Sequence, residues 1–345
     1  MGVEPSSNVQ ASHVGNRTPY PHDFVPRRWL RGGHRQTLAA NFSRRVDRLP
    51  APEDRLFSVE PEAQVLAHCH WQPQKESRVT LVIVHGLEGS SESQYVIGTS
   101  NKAWAAGMNV VRMNMRNCGG SERLARTLYN SSMSTDVGAV VGALIEEDGL
   151  SSIALAGFSM GGNLVLKMAG EWGMSAPAEV KAVIGISPAI DLGISADALH
   201  DWRNRLYEYN FLVGLHRSVT RKARLYPELY RTYPLFSIRT LRDFDHQITA
   251  HYGGFTGADD YYYRAASARV IDSIAVPALI IHSLDDPFIR VSDETRAKIL
   301  GNLHIRYIET AHGGHCAFLA NPVGYDGRWA EKKIVEFVQE NQRNA

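Results

Sequence analysis

Short runs of uninterrupted apolar residues punctuate the chain, separated by longer segments whose apolar positions recur every three to four residues. Val79–Val84 is the clearest run, Val-Thr-Leu-Val-Ile-Val, and reads as a strand buried on both faces. Asn109–Asn114, Ser152–Phe158, Val180–Ser187, Ala278–His282 and Ile305–Ile308 repeat the signature. Gln64–Trp71 alternates instead, which predicts a half-exposed strand. Between the strands, Gln94–Ala106, Ser134–Glu147, Met160–Trp172 and Val291–Leu300 have helical character, and a closing amphipathic helix covers Arg328–Gln339, with Trp329, Ile334, Val335 and Val338 on one face. Strand and helix trading places at this spacing predict an α/β fold: a doubly wound, mostly parallel sheet of about eight strands.

Two stretches depart from the rhythm. Residues 1–22 are polar, rich in Ser, Asn, Pro and Gly, and read as a disordered tail. The segment Phe24–Leu38 mixes Trp29, Pro26, Gly33 and His34 without a clear period and reads as an arm packed over the core, His34 taking a structural hydrogen bond. Between Asp191 and Ser267 buried-strand runs are few and aromatics many: Trp202, Tyr207, Tyr209, Phe211, Tyr226, Tyr230, Tyr233, Phe236, Phe244 and Tyr261–Tyr263. A mostly helical insertion accounts for it. The expected organisation is therefore a tail and arm over 1–54, a core over 55–190 and 268–345, and an inserted lid over 191–267, before the strand that carries the candidate acids. The basic stretch Arg217–Arg224 in the insertion reads as a solvated helix face.

Composition narrows the class. With 37 Lys and Arg against 36 Asp and Glu, the 345-residue chain carries a net charge of +1, which leaves no footprint for nucleic acid. Three widely spaced cysteines, Cys69, Cys118 and Cys316, give neither a disulfide framework nor a metal signature and suit a reducing compartment. No apolar run reaches membrane-spanning length and no signal-peptide layout opens the chain, so a cytoplasmic location without stable membrane insertion is expected. Met1-Gly2 with Ser6 fits the loose myristoylation pattern, which at this length reads as chance. His68 and His70 share a strand face, but without a third ligand they read as paired surface histidines, not a metal site.

The chemistry gathers at the carboxyl ends of the predicted strands, where open parallel sheets place their sites. Gly157-Phe158-Ser159-Met160-Gly161 sits between a strand and a helix and fits the G-x-S-x-G nucleophile elbow, whose flanking glycines leave room for neighbouring backbone. A serine hydroxyl needs an adjacent base, and a base needs an orienting carboxylate. Asp286 and His315 follow in the expected order, Ser then Asp then His. Asp285 stands as the alternative acid and His312 as the alternative histidine; Asp286 is preferred for its place in the turn, and His315 because Gly313 and Gly314 free its loop. The backbone N–H groups of Leu87 and Met160 are the candidate oxyanion donors, and His85, Gly86, Phe158, Tyr207 and Phe211 the candidate pocket residues. No cofactor is called for.

These residues resemble the YheT-like branch of the α/β-hydrolases, bacterial relatives of membrane-anchored mammalian abhydrolase-domain proteins. The resemblance runs from about Phe24 to the C-terminus. It rests on Pro26-x-x-Trp29-Leu30-x-x-Gly33-His34-x-Gln36-Thr37, His85-Gly86-Leu87-Glu88-Gly89-Ser90, Gly157–Asn163, Arg239–Asp245, Gly254–Ser267, Asp285–Phe288 and Gly313–His315. One departure is Asn117, where the family usually has glycine after Arg116; asparagine tolerates a left-handed backbone, so the turn is expected to survive. The resemblance implies a serine hydrolase acting on small-molecule esters of short to medium acyl chains. An amidase, peptidase or lipase on the same residues, or a non-catalytic binding protein on this fold, are the competing readings.

Overall fold

The computed structural model describes residues 18–231 and 237–343. Residues 1–17 of the tail expected over 1–22, the myristoylation pattern, Tyr233 and Phe236 lie outside the described residues. In chain order the elements are α1 (Gly33–Phe42), β1 (Glu53–Glu60), β2 (Ala63–His70), β3 (Thr80–Val84), α2 (Gln94–Ala105), β4 (Asn109–Met113), α3 (Ser134–Glu146), β5 (Ile153–Phe158), α4 (Met160–Trp172), β6 (Val180–Ile186), α5 (Leu192–Leu199), α6 (Arg205–Leu225), α7 (Leu241–Phe244), α8 (Ala250–Gly253), α9 (Ala258–Ala265), β7 (Ala278–Ser283), α10 (Asp293–Gly301), β8 (Ile305–Thr310) and α11 (Trp329–Arg343). A π-helical turn, Asp245–Thr249, joins α7 to α8.

Eight strands form one sheet in the order β1-β2-β4-β3-β5-β6-β7-β8. The β1/β2 and β2/β4 pairs are antiparallel and the remaining pairs are parallel. The uninterrupted apolar runs have the cause inferred for them. All five residues of β3 are buried, Val82 and Val84 packing into the layer with α3 and α4, Leu81 and Ile83 into the layer with α2 and α11. Removing any one of these side chains would cost about 2–5 kcal/mol, because neither face can collapse onto solvent. β1 had no such signal: it is an edge strand, Glu-Asp-Arg-Leu-Phe-Ser-Val-Glu, with Phe57 alone buried.

Three sequence expectations need correction. The segment around His34, which lacks a period, contains the ten-residue helix α1. Its buried residues are Gly33 and Gln36, so its docking is polar and leaves no apolar stripe. His70 is not a surface residue; it is buried against Trp104, and burial pushes its imidazole down to about 4, so it is neutral. In the basic stretch of α6, Arg217, Arg221 and Arg224 face solvent, but Lys222 is buried and donates to the carbonyls of Glu122 and Ala125. Between β6 and β7 the described residues form the helices α5 to α9 with short turns between them. No helix among the described residues is long and apolar enough to cross a membrane.

Candidate active site

Ser159 follows the last residue of β5, the central strand, and precedes α4. Its backbone is at φ 54°, ψ −118°, a conformation that costs a non-glycine residue about 1–3 kcal/mol and persists only where its surroundings enforce it. The glycines around it are sterically required. A Cβ at Gly157 would lie 2.1 Å from the Gly161 carbonyl oxygen, and one at Gly161 would lie 2.3 Å from that of His85.

The loop after β3 passes beside Ser159. His85 is wholly buried; its Nδ1–H donates to the Gly86 carbonyl at 2.8 Å and its Nε2 accepts from Met115 N–H at 3.1 Å. Burial pushes its pKa down to about 4 and keeps it neutral, which acceptance at Nε2 requires. The N–H groups flanking Leu87 are spent: Gly86 N–H donates to Tyr95 Oη at 2.9 Å and Glu88 N–H to Tyr129 Oη at 3.0 Å. Among the described residues Leu87 N–H has no such acceptor. Met160 opens α4, so its N–H has no partner one turn back. Leu87, Ser159 and Met160 line one cavity, and two free donors beside a hydroxyl suit a developing oxyanion.

At the ends of β7 and β8 two carboxylate–imidazole pairs lie in parallel. Asp286 Oδ2 is 2.8 Å from His315 Nδ1, and Asp285 Oδ2 is 3.0 Å from His312 Nδ1. They are not equivalent. The Asp286 side chain is fully inaccessible, accepts from Phe288 and Ile289 N–H at Oδ1, and its partner His315 lines the cleft with Ser159. The Asp285–His312 pair is partly exposed, and Asp285 Oδ1 accepts from Gly314 N–H at 2.9 Å, holding the loop that carries His315. Burial alone would raise the Asp286 carboxyl and lower the His315 imidazole. At Asp286 burial is the largest single influence, but the charge and hydrogen bond of His315, the nearby His282 and the Ile289 N–H together outweigh it, and its pKa lies below the ordinary carboxylate value. Cys316 and Asp286 outweigh it at His315, whose pKa lies well above 6.5.

The His315 loop is pinned by three separate parts of the chain. Gly314 N–H donates to Asp285, His315 N–H to Thr37 Oγ1 of α1 at 2.9 Å, and Cys316 N–H to Ser187 Oγ at 3.0 Å. Gln36 of α1 exchanges hydrogen bonds with Leu319 N–H and C=O. His315 Nε2 lies 3.7 Å from Cys316 Sγ, and among the described residues no hydrogen bond joins it to Ser159 Oγ.

Two spaces meet at Ser159. One, about 910 Å³ with its open end, runs under the insertion and is lined chiefly by apolar side chains, among them Leu128, Leu215, Val219, Phe244 and Ile289. The other is an open cleft of about 2470 Å³, counting its solvent-filled mouth, between α1 and the start of α6. Phe211 lines both, and Gly86 and Tyr207 line the cleft. Tyr207 stacks on His34 across it, with His34 Nδ1 3.2 Å from its hydroxyl. His85 and Phe158 are not pocket residues: His85 is committed to the turn, and Phe158 is buried against Tyr95, ring centroids 4.5 Å apart. Sequence reasoning does not reach the supporting residues Thr37, Glu88, Tyr95 and Tyr129, nor the part Asp285 plays in holding the His315 loop. Thr37 and Glu88 belong to the motifs of the arm and of the loop after β3, but only the fold shows what they hold.

Comparison with known proteins agrees with this architecture. The family profile for the alpha/beta hydrolase fold matches residues 79–322. The chain is 30% identical over 321 residues to YheT of Escherichia coli K12, a provisionally named esterase, covering 92% of this chain and 93% of that one. It is 26% identical over 267 residues to Phospholipase ABHD3 of Bos taurus, covering 76% of this chain and 64% of the relative. Among solved structures, the esterase Pf2001 of Pyrococcus furiosus shares the fold with a TM-score of 0.54 at 15% identity, over 86% of this chain and 98% of that one. The chain belongs to the α/β-hydrolase family, in its YheT-like branch.

Proposed function

We propose that the protein is a carboxylic-ester hydrolase working through an acyl-Ser159 intermediate. The observation that carries the reading is the convergence on Ser159, where the two spaces meet, of a strained backbone, a histidine held by a buried carboxylate, and two unspent backbone donors. In this reading a rotation about the Ser159 side chain brings Oγ to His315 Nε2, which takes its proton as Oγ attacks the ester carbonyl. Asp286 holds the imidazole in the Nδ1–H tautomer and balances its charge. Leu87 and Met160 N–H receive the oxyanion, and His315 returns the proton to the departing alcohol. Water then repeats the cycle on the acyl enzyme.

The acyl group belongs in the apolar space under the insertion, which favours short to medium aliphatic chains; the alcohol belongs in the open cleft. Residues 55–190 and 268–345 make the catalytic core, 191–267 the lid, and 1–54 the tail and arm, with α1 as one wall of the site. The relatives named as an esterase and a phospholipase support ester chemistry over amide chemistry, and the latter keeps longer acyl chains as the second reading. Three free cysteines, two of them buried, suit a reducing compartment, and we place the activity in the cytoplasm. The test is a panel of p-nitrophenyl esters of rising chain length beside matched anilides. Turnover confined to the esters, with an optimum at short or medium length, is expected; faster cleavage of the anilides would overturn the ester assignment.

A further inference from the structure

We infer that Arg328 is an anion-binding residue of the open cleft, so that the preferred ester carries a negatively charged group, a phosphate or carboxylate, on its alcohol portion. This deepens the proposed hydrolase function and rests on it.

The charged side chains that line the cleft are almost all paired. Arg45 is held by Asp326 and Glu331, Glu331 by Arg45 and Lys102, and Arg203 by Asp201. Glu92 faces His68 and Arg112, and Glu88 accepts from Tyr129. Among the described residues Arg328 is the exception: its backbone N–H bonds to Asp326, but its guanidinium makes no hydrogen bond or ion pair.

Several features of its position are unfavourable to a cation. Arg328 is half-buried, and it immediately precedes the first residue of α11, where the helix dipole disfavours positive charge. Burial first, then the nearby charges of Arg45 and Arg27, pull its pKa below the ordinary arginine value, and Glu331 and Asp326 do not fully offset them. A stabilising role would place a carboxylate against it or turn it to solvent. A guanidinium held without a partner at the wall of a cleft that also contains Ser159 and His315 is suited to a planar oxyanion that arrives with the substrate. Because the acyl chain occupies the apolar space on the other side of Ser159, the anion must be on the alcohol.

The test uses butanoate esters of ω-hydroxyalkyl phosphates with spacers of increasing length, each beside its neutral dimethyl phosphate counterpart, on the full chain. At the spacer that reaches Arg328, kcat/KM for the charged ester should exceed that for the neutral one by about tenfold, the order expected of a charge-assisted hydrogen bond. Arg328→Gln should abolish the preference, so that within that variant the charged and neutral members of each pair turn over at the same rate, and Arg328→Lys should keep part of it. Equal rates for both members at every spacer, or a preference that survives Arg328→Gln, would overturn the subsite alone. Failure of the folded protein to cleave either member would bring down the esterase reading and the subsite with it. Inorganic phosphate should compete weakly with the charged ester in an Arg328-dependent manner. If it altered turnover of neutral esters through Arg328 while the charged esters had no advantage, the residue would be a free-anion effector site and the substrate proposal would fail.

Discussion

The backbone N–H of His315 donates to the hydroxyl of Thr37 at 2.9 Å, linking the proposed base to a helix 278 residues away in sequence. The same hydroxyl donates to Gly33 C=O at 2.8 Å, so Thr37 satisfies one group in α1 and one in the His315 loop. Thr37→Val keeps the shape and removes both bonds. We expect kcat to fall about tenfold with KM nearly unchanged, because the base is displaced while the pocket is not, and stability to fall by about 1–3 kcal/mol. Thr37→Ser should restore most of the rate. Steady-state kinetics on p-nitrophenyl butyrate with a thermal melt of each variant decide it; a change confined to melting temperature would make Thr37 purely structural.

The pH profile follows from the His315 environment. The base must be neutral to accept the Ser159 proton, and its pKa lies well above 6.5, since Cys316 and Asp286 outweigh burial. The acid limb of kcat/KM should therefore lie above the ordinary histidine range, with activity rising as pH increases through it. Cys316→Ala removes one of the two groups that raise the pKa, so the limb should move to lower pH. Asp286→Asn should move it further and lower kcat by about three to four orders of magnitude. A limb unmoved by Cys316→Ala would remove the thiol from this account.

Glu88 ties the loop proposed to hold the oxyanion to the insertion. Its backbone is left-handed at φ 55°, its N–H and Oε1 both engage Tyr129, the latter at 2.6 Å, and a Cβ on Gly214 of α6 would lie 2.6 Å from its Oε2. Glu88→Gln preserves an acceptor for Tyr129 and should retain most of the rate. Glu88→Ala frees the loop and should cut kcat by about tenfold to a hundredfold, as loss of an aligned oxyanion donor does. Equal kinetics for the two variants would show that the side chain does not set the Leu87 N–H.

Asp245 in the π-helical turn carries a charge the fold does not favour. It is buried, accepts from Tyr262 Oη at 2.8 Å and Thr249 Oγ1 at 2.6 Å, and burial pushes its pKa up to about 6. An acid raised in the folded state contributes stability that is full below the unfolded value of about 3.9 and is lost as pH rises through the folded one. Asp245→Asn removes that dependence. Its melting temperature relative to wild type should thus be higher at pH 7.5 than at pH 4, as differential scanning fluorimetry would show. A difference independent of pH would contradict the burial argument.

What could be read from the sequence divides along physical lines. The β3 run of five buried residues and the glycines at 157 and 161 are dictated locally, by burial on two faces and by lack of room for a Cβ, and both were legible. The order of Ser159, Asp286 and His315 followed from their places at strand ends. β1 was missed because an exposed edge strand carries almost no apolar signal. α1 was missed because Gln36 and Thr37 dock it through hydrogen bonds to residues near the opposite end of the chain. His85 and Phe158 were misassigned to the pocket since adjacency to a turn does not tell which way a side chain faces. Arg328 has no pattern at all; only the set of pairs around it marks it out.

The proposed mechanism stands on Ser159 as an activated nucleophile. The most direct measurement is reaction of the full chain with a fluorophosphonate, followed by mass spectrometry of the peptide containing Gly157–Asn163, beside Ser159→Ala. We predict stoichiometric modification at Ser159, absent from the variant and suppressed in Asp286→Asn. A folded wild-type chain that stays unmodified, or one labelled equally in the Ser159→Ala variant, would contradict the account.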